Sequence, residues 1–432
     1  MHRDITSLSL RELDIVALVT SATVFMERGP KNMLSYEEAL EKLLEHIPKP
    51  APIRVPLQEA LGRVLAAPVL ADSDLPPFKK SFVDGFAVRS QDAVQAPVKL
   101  EVVGVIAAGD SDQPRLERGQ AVQIMTGAAL PEEADAVQMV EKTHRVSESA
   151  VELLEPVVPA ENVAARGSEV QMGETVLARD RVVGAAEAGV LATFGRAEVE
   201  IFAAPRVAVI PTGDELVAVE QRPAFGQIRN SNAYTLWAQC QRLGLDATVL
   251  PPVPDEPDQV RRSIQVGLKS ELAIFTGGVS MGEYDYVPQV LTEEGFTIFF
   301  HKVAIKPGKP ILVGRKNDHV VFGLPGNPVS AFVTFELFVR PAVRRWMGFQ
   351  RHSLQKVSGE LVAPVRQKPG RKFFKQARTD WVDGRFQIRP IETQGSADLV
   401  AFSSANSLLI MEADVIHLKA GQKVEVLLLN DE

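Results

Sequence analysis

Acidic residues follow two segments that the sequence predicts to be buried strands. The loop "PTGDEL" places Asp214 and Glu215 directly after "RVAVI", and "TGGVSMGEYD" places Glu283 and Asp285 after "ELAIF". Each acid by itself is equally well explained as a helix cap or a solvated loop residue. Because the carboxyl ends of parallel strands meet at one edge of a sheet, we expect the acids to gather there. Carboxylate and phosphate oxygens suit Mg²⁺, so the pattern predicts a magnesium site.

Glycines in the same loops indicate an anion. Gly277 and Gly278 allow the backbone to approach a ligand, and the N-terminus of the helix that follows favours negative charge. A third loop, "GLPGNPVS", follows the strand "HVVF". Two glycines alone are a weak signal, but three loops at one sheet edge together predict a phosphate-type site.

Cations that could meet such an anion come from "HKVAIKPGKPILVG", which contains Lys302, Lys306 and Lys309. If this segment were one strand, Lys302 and Lys306 would share a face, because they are four residues apart. The alternative is a solvated edge strand protected by its lysines. The apolar "ILVG" that follows favours the functional interpretation. Acids and lysines together predict phosphoryl or anion chemistry, in which positive charge stabilises developing oxyanions.

Composition and missing motifs exclude several other classes. A formal net charge of −8 opposes general nucleic-acid binding, and no apolar run is long enough to cross a membrane. The only cysteine, Cys240, excludes an internal disulfide and fits a reducing, cytoplasmic location. The histidines lack zinc spacing, and neither a nucleophile elbow nor GxGxxG is present.

The rhythm of the sequence predicts several domains in these 432 residues. Short β-branched runs between about 97 and 156 predict a small β domain. From 206 to 350 strands alternate with helices, which predicts a parallel α/β sheet. After Arg351 alternating segments predict a C-terminal β-barrel or sandwich.

The first 32 residues stand apart from this pattern. Their apolar stretch "DIVALVTSATVF" resembles a secretory segment, but Asp4, Glu12 and Asp14 oppose that reading. A capping box, Ser35 to Glu38, predicts that the folded part begins near Met33. We expect residues 1–32 to be an extension or a misassigned start.

Seven motifs in order resemble one family. They are "DLPPFxxSxxDGFAVR", "MTGAALPEEADAVQMVE", "RGSE", "PTGDELV", "TGGVSMGEYDYV", "KVAIKPGKP" and "GLPGNPVSAFVTFELFVRP". Their order and spacing are similar to those of the molybdopterin molybdenumtransferases, the MoeA family, from about Met33 to the C-terminus.

The resemblance implies a multidomain α/β plus β fold with a central doubly wound parallel sheet. It implies a discontinuous linking domain (33–65 and 157–202), an inserted β domain (66–156), a molybdopterin-binding α/β domain (203–350) and a C-terminal β-barrel-like domain (351–432). It further implies a homodimer with an intersubunit active site.

The resemblance also implies a Mg²⁺-dependent reaction. Adenylylated molybdopterin would be cleaved at its pyrophosphate with release of AMP, and molybdate would be inserted into the product. Molybdopterin adenylyltransferase and recipient molybdoenzymes would be its partners.

Site residues carry over by matching motifs. The expected catalytic residues are Asp214, Glu215, Asp255, Asp285, Lys302 and Lys306, with Glu215 and Asp285 as the metal ligands. The expected substrate-binding residues are Lys79, Ser81, Asp84, Thr126, Glu169, Gly277, Gly278, Ser280, Lys309, Pro325 and Pro328.

The chain departs from the family at Lys79, where many bacterial members have an acid in "PPFDNS". Glu169 likewise stands where members have aspartate. The branch that resembles the gephyrin E domain also lacks the acid at position 79, so its loss does not exclude catalysis. Two alternatives remain open: a molybdopterin adenylyltransferase of the same α/β fold, or a non-catalytic gephyrin-like scaffold.

Overall fold

The computed structural model describes residues 33–279 and 285–429. These residues form two compact units. One spans 52–202, and the other combines the residues before 52 with those after 202. Within the described ranges, no helix is both long enough and apolar enough to cross a membrane.

Helix α1 (Tyr36–Glu45) opens the described chain. The Glu38 N–H donates to the Ser35 hydroxyl at 3.2 Å, and the Ser35 N–H donates to the Glu38 carboxylate at 2.8 Å. This confirms the predicted capping box. Helix α1 belongs to the compact unit that contains the residues after 202. The assignment of residues 33–65 to a linking domain stays a prediction.

The unit formed by residues 52–202 is built mainly from strands. They are β1 (Pro52–Pro56), β2 (Val69–Leu70), β3 (Lys80–Ser81), β4 (Gly85–Val88), β5 (Val98–Ile106), β6 (Gln120–Ile124), β7 (Ala136–Met139), β8 (Thr143–Ser147), β9 (Ala150–Leu153), β10 (Val163–Ala164), β11 (Thr175–Leu177) and β12 (Glu198–Phe202). One six-stranded sheet has the order β7-β4-β6-β5-β9-β8, and the pairs β1-β12, β2-β11 and β3-β10 flank it in sequence. The helical segments are short 3-10 turns (Leu57–Ala60, Ser90–Asp92, Val140–Lys142) and helix α2 (Ala185–Thr193).

Strands and helices alternate after residue 206, as the sequence predicts. The elements are β13 (Val207–Pro211), β14 (Leu216–Val217), β15 (Ile228–Arg229), α3 (Ser231–Arg242), β16 (Ala247–Val249), α4 (Pro257–Gly267), β17 (Leu272–Thr276), α5 (Val287–Glu293), β18 (Thr297–Lys302), β19 (Ile305–Lys306), β20 (Pro310–Lys316) and β21 (His319–Leu324). One six-stranded sheet has the order β16-β13-β17-β21-β20-β18. From β13 the chain crosses to β16 on one side and then returns to β17 on the other. The carboxyl ends of β13 and β17 therefore flank the position where ligands bind in such sheets.

The central sheet is parallel through β16, β13, β17 and β21, which confirms the predicted α/β core. Strands β20 and β18 run antiparallel to their neighbours. The reason is the connection between β20 and β21, which is only Asn317-Asp318. A loop of two residues can join only antiparallel strands, and Asn317 adopts the positive φ of 54° that such turns require.

Lys302 and Lys306 do not share one strand, which corrects the geometry expected from their spacing. Lys302 ends β18 in the α/β sheet, whereas Lys306 in β19 pairs with a strand of the C-terminal sheet. Between them Val303 is fully buried, and the Ala304 N–H donates to the Leu34 carbonyl at 2.8 Å. This break divides the segment between two sheets.

The remaining elements lead into a closed barrel. They are α6 (Pro328–Thr334), a π-helical turn (Phe335–Val339), α7 (Arg340–Trp346), β22 (Lys356–Leu361), β23 (Val365–Arg366), β24 (Lys372–Val382), β25 (Arg385–Pro390), α8 (Leu399–Phe402), β26 (Ser407–Met411), β27 (His417–Leu418) and β28 (Lys423–Leu428). The sheet order is β19-β24-β25-β22-β28-β26, and β26 also pairs with β24. Five strands therefore close on themselves, and β19 is added from outside. The predicted C-terminal β-barrel is confirmed.

One hydrophobic core joins α1, the α/β sheet and the barrel. Leu43, Phe322, Phe338 and Phe374 are all fully buried members of it. Each such side chain contributes roughly 1.5–3 kcal/mol by leaving water. The loops at the sheet edge therefore rest on a frame that both domains share.

Candidate active site

Three acids are held together where β13 and β16 end. Asp214 and Glu215 follow β13, and the chain beyond β16 passes beside them. The Gly213 N–H donates to the Val253 carbonyl at 3.0 Å, and the Asp255 N–H donates to the Asp214 carboxylate at 3.2 Å. These bonds bring Asp255 to the acids of the neighbouring loop.

Electrostatic effects connect Asp285 with Asp214, Glu215 and Asp255, and these four residues are called the acid group below. Burial raises the pKa of Asp255, the charges of Asp214, Glu215 and Asp285 raise it as well, and the combined result is a pKa of about 6. Asp214 and Asp255, from two separate loops, therefore meet at this edge, and the wider acid site stays a prediction. Their mutual repulsion favours either a shared proton or a cation.

The loop after β17 requires glycine at two positions. Gly277 and Gly278 have φ values of +96° and +58°. A Cβ atom on Gly277 would lie 2.3 Å from the Thr212 carbonyl oxygen, and one on Gly278 would lie 2.7 Å from Thr212 Oγ1. Only glycine lets this loop approach the loop after β13 so closely.

Asn232, at the start of helix α3, ties the loops after β17 and β21 together. Its side-chain amide donates to Thr276 Oγ1 at 3.0 Å and to the Gly326 carbonyl at 2.7 Å. The Thr276 hydroxyl donates to the Pro325 carbonyl at 3.5 Å. Sequence reasoning missed Asn232. A signal for Asn232 was present in the sequence, namely an amide side chain in the first turn of a helix that begins at this sheet edge.

A basic cleft of about 600 Å³ lies between the α/β loops and the barrel. Its charged lining consists of five cations and one acid: Lys306, Lys309, Arg366, Arg371, Lys375 and Glu392. Asn327 and Ser330, at the beginning of α6, also line it. Because Pro325 and Gly326 precede these residues directly, the turn between β21 and α6 connects the acid group with the basic cleft. Pro328 occupies the first turn of α6, where proline is well tolerated.

The loop from Lys306 to Lys309, called the lysine loop below, is fixed against helix α6. Gly308 has a φ of +99°, and a Cβ atom there would lie 2.3 Å from Thr334 Cγ2. Lys306 Nζ lies 4.4 Å from the centre of the Phe373 ring, a cation–π contact with the barrel. Burial lowers the pKa of Lys375, and the charge of Lys306 lowers it further, while Glu392 opposes this. Lys306 and Lys375 are thus close enough to repel one another.

The barrel supplies three of these cations, Arg366, Arg371 and Lys375, which the sequence analysis did not single out. A signal was present, because "VRQKPGRKFFK" is a dense basic segment in an acidic chain. It did not indicate a site, since it lies in a different domain from the lysine loop.

His301 links the acid group to the lysine segment. Its Nε2 lies 2.6 Å from the carbonyl oxygen of Val279, the residue that follows Gly278. Burial lowers the pKa of His301, and Lys302 lowers it further, while the Val279 carbonyl and Asp285 oppose the shift. Lys302 is the next residue along β18, so its backbone is held beside the loop that contains Gly277 and Gly278.

In the unit formed by residues 52–202, a second polar patch collects other predicted residues. Asp84 accepts hydrogen bonds from the Thr126 N–H at 2.7 Å and from its hydroxyl at 2.8 Å, and these bonds lower the pKa of Asp84. Lys80 Nζ lies 3.6 Å from the Glu169 carboxylate. The Ser81 hydroxyl donates to the Val83 carbonyl at 2.6 Å, and neighbouring Lys79 is exposed.

Comparisons with known proteins match three successive regions that together span most of the described chain. Residues 34–195 match the MoeA N-terminal region (domain I and II), residues 208–345 a probable molybdopterin binding domain, and residues 358–429 the MoeA C-terminal region (domain IV). A molybdopterin molybdenumtransferase of Bacillus subtilis is 34% identical over 388 residues, which is 88% of this chain and 90% of the relative. One from Staphylococcus epidermidis is 33% identical over 403 residues, covering 91% and 95%.

The chain belongs to the MoeA family.

Solved structures agree with this assignment. Two crystal structures of a MoeA molybdopterin biosynthesis protein from Pyrococcus horikoshii align with TM-scores of 0.80 and 0.76 at 29% and 28% identity. They cover 93% and 92% of this chain and all of the matched chains. The resemblance found in the sequence motifs is therefore confirmed, including its flanking β regions.

Three predictions concern residues outside the described ranges. Ser280, expected to hold substrate, and Glu283, expected among the acids, lie between 279 and 285, and the N-terminal extension lies before residue 33. All three stay predictions.

A magnesium site at these acids stays a prediction, because the carboxylates would need the substrate to complete the ligands. Among residues 33–279 and 285–429, no three acidic, histidine or cysteine side chains are grouped as a full metal site. Mg²⁺ is commonly held by one or two carboxylates, with waters and substrate phosphates supplying the rest. Glu215 and Asp285 both act on Asp255 electrostatically, so the two predicted ligands belong to one acid group.

Replacing Gly277 by alanine should cost more stability than the same change at Gly226. Both residues have a positive φ, which costs alanine ~1–2 kcal/mol, but a Cβ atom at Gly226 meets nothing within 4 Å. All three tryptophans lie after residue 202, so fluorescence during urea unfolding reports on this unit. Equal losses in the two variants would show that the approach to Thr212 is not a constraint.

Asp255→Asn should stabilise the metal-free protein near pH 7 and have little effect near pH 4. The folded-state pKa of about 6 lies above the ordinary value of 3.8 for an aspartate, so folding is disfavoured as the pH rises through this window. After discount for partial exposure, we expect a gain of ~1–2 kcal/mol at neutral pH. Urea unfolding in EDTA at both pH values measures it, with exposed Asp258→Asn as the control. A difference that does not vary with pH would contradict the assignment.

Proposed function

We propose that this chain inserts molybdate into adenylylated molybdopterin, with cleavage of the pyrophosphate and release of AMP. The observation that carries the proposal is the pairing of an acid group and a basic cleft, joined by the turn between β21 and α6. Membership of a family whose relatives are named molybdopterin molybdenumtransferases supports it.

The acid group serves the pyrophosphate side of the reaction in this proposal. Glu215 and Asp285 would hold Mg²⁺, which supplies positive charge to phosphate oxygens when bound. Asp255 has a pKa of about 6, so near neutral pH it can hold a proton or release it at its carboxylate. Gly277 and Gly278 would let the protein backbone of this loop lie close to the substrate at the sheet edge.

The basic cleft serves the oxyanions. Molybdate carries two negative charges and hydrogen-bond acceptors only, which suits ammonium and guanidinium donors. Lys306 and Lys309 come from the α/β domain, and Arg366, Arg371 and Lys375 from the barrel. Lys302 would act next to the acid group, where His301 fixes its strand. A concentration of cations in an acidic protein is explained by a doubly anionic substrate.

The polar patch of the unit formed by residues 52–202 completes the proposal. Thr126, Glu169, Lys79, Ser81 and Asp84 would contribute to the site of a partner chain in a homodimer, as the family resemblance implies. Lys79 is exposed and could meet an incoming phosphate or oxyanion. Dimerisation, partner enzymes and a cytoplasmic location stay predictions.

Neither alternative gains a supporting observation. An adenylyltransferase of the same α/β fold would not need the flanking regions, yet the family match extends over both of them. A scaffold that only binds partners would not need an acid group with a raised pKa.

The purified protein tests the proposal directly. Incubation with adenylylated molybdopterin, Mg²⁺ and molybdate should release AMP and yield a cofactor that activates an apo-molybdoenzyme. Absence of both products, with a relative from Bacillus subtilis active under the same conditions, would overturn the transferase assignment.

Asp285→Asn should lower the rate of AMP release by about 10²-fold or more, because it removes a ligand charge while keeping the side-chain volume. Asp258→Asn is the matched control, since Asp258 is an exposed acid in the same unit with its side chain 84% accessible. The control should retain full activity. Unchanged turnover of the Asp285 variant would disprove its proposed role.

A further inference from the structure

Three segments are joined side by side along one wall of the basic cleft. The Ala304 N–H donates to the Leu34 carbonyl at 2.8 Å, and the Lys372 N–H donates to the Ala304 carbonyl at 2.9 Å. Ile305 and Lys306 then pair in parallel with Lys372 and Phe373. The residues that lead into α1, the lysine segment and barrel strand β24 thus form one connected strip.

Alternation along this strip separates two kinds of side chain. From 371 to 375, Arg371, Phe373 and Lys375 line the cleft, whereas Lys372 and Phe374 do not; Gln376, the next residue, lines it as well. Successive side chains of a strand point to opposite faces, so Lys372 lies on the face away from the cleft. From this face Lys372 holds strand β24 in place but does not reach an anion bound in the cleft.

Lys372 is held on that face by two carboxylates. Its Nζ lies 2.5 Å from Glu37 Oε1 on α1 and 2.9 Å from Glu412 Oε1 next to β26. The Lys372 side chain is only 15% exposed, although those of Glu37 and Glu412 are 62% and 56% exposed. Burial opposes the charge of Lys372, but the hydrogen bonds to both carboxylates outweigh it and raise its pKa.

Tyr36 connects the same place to the opposite wall. Its ring packs edge-on against Phe374 of β24, with ring centres 5.2 Å apart, and against Phe338, with centres 5.7 Å apart. Phe338 lies in the π-helical turn that continues helix α6, and the N-cap residue Asn327 and Ser330 of that helix line the cleft. The first turn of α1 therefore contacts the supports of both walls.

The cleft brings like charges close together, so its walls must be held at a fixed spacing. Lys372 with Glu37 and Glu412, called the clamp below, provides such a restraint. The cations from the lysine loop and from the barrel face one another, and repulsion between them favours a wider cleft. The attraction between Lys372 and its two glutamates acts on the back of the same strand and opposes that movement.

We propose that Lys372 is a positioning residue, which with Glu37 and Glu412 sets the spacing of the cleft cations for oxyanion binding without contacting the oxyanion. The inference rests on the proposed function, because it assumes that the cleft takes molybdate. It assigns helix α1 a part in substrate binding.

The double variant Glu37→Gln/Glu412→Gln gives the sharpest test. It removes both ion pairs while preserving side-chain size. Simple electrostatics predicts tighter molybdate binding, because two negative charges near the cleft are lost. The positioning role predicts the opposite, a rise in the Kd of about tenfold, measured by calorimetry with inorganic molybdate.

Matched variants separate charge from position. Glu425→Gln removes an acid on the same barrel that pairs with Lys356 at 3.2 Å, and it should leave the Kd unchanged or slightly lower. Lys372→Arg keeps contacts to both carboxylates and should bind within about twofold of the wild type. In turnover, the double variant should raise the KM for molybdate with little change in kcat, which a general loss of stability would not produce.

The outcomes distinguish the inference from the function on which it rests. If the wild-type protein does not bind molybdate, the oxyanion role of the cleft fails, and the clamp fails with it. If the wild type binds but the double variant binds equally well or more tightly, only the positioning role is overturned. Should the double variant not fold, Lys372→Met replaces it, with Lys356→Met as its control. Equal binding by these two lysine variants would likewise overturn the positioning role.

Discussion

Repulsion between like charges is the constraint around which the larger unit is organised. Asp255 is buried enough, and close enough to other acids, for its pKa to reach about 6. In the same unit, cations from two domains line one cleft. Neither arrangement would persist on a loose surface, since ions in water separate at little cost. Both persist here because the loops rest on a shared core and are fixed by hydrogen bonds through Asn232 and Gly213.

The acid group could be predicted because its causes are local. Asp214 and Glu215 follow a β-branched strand, Gly277 and Gly278 follow another, and parallel strands bring such loops to one edge. The motifs added Asp255, which no periodicity would have connected to them. The basic cleft could be predicted only in part. Arg371 and Lys375 reach it through the pairing of β19 with β24, a contact between distant segments that local patterns do not contain.

Smaller differences have equally specific causes. The sequence predicts an extended segment from Lys302 to Lys306, but the buried Val303 and the bond from Ala304 to Leu34 divide it. In the unit formed by residues 52–202, the departure at "PPFKKS" gains meaning from its neighbours. Lys80 is paired with Glu169, whereas Lys79 is exposed, so the two lysines are not equivalent. The sequence alone does not distinguish Lys79 from Lys80, because it does not show which residues they contact.

Strand β19 belongs by chain position to the α/β domain and by pairing to the barrel. The barrel is therefore not a removable module, although its own five strands close on themselves. Excising it would leave Ile305 and Lys306 without their neighbours and open the hydrophobic core at Phe374. Grafting a barrel from a relative would succeed only if the donor strand matched this short parallel edge. Recombination within the family is thus expected to exchange the two domains together, as one inherited block.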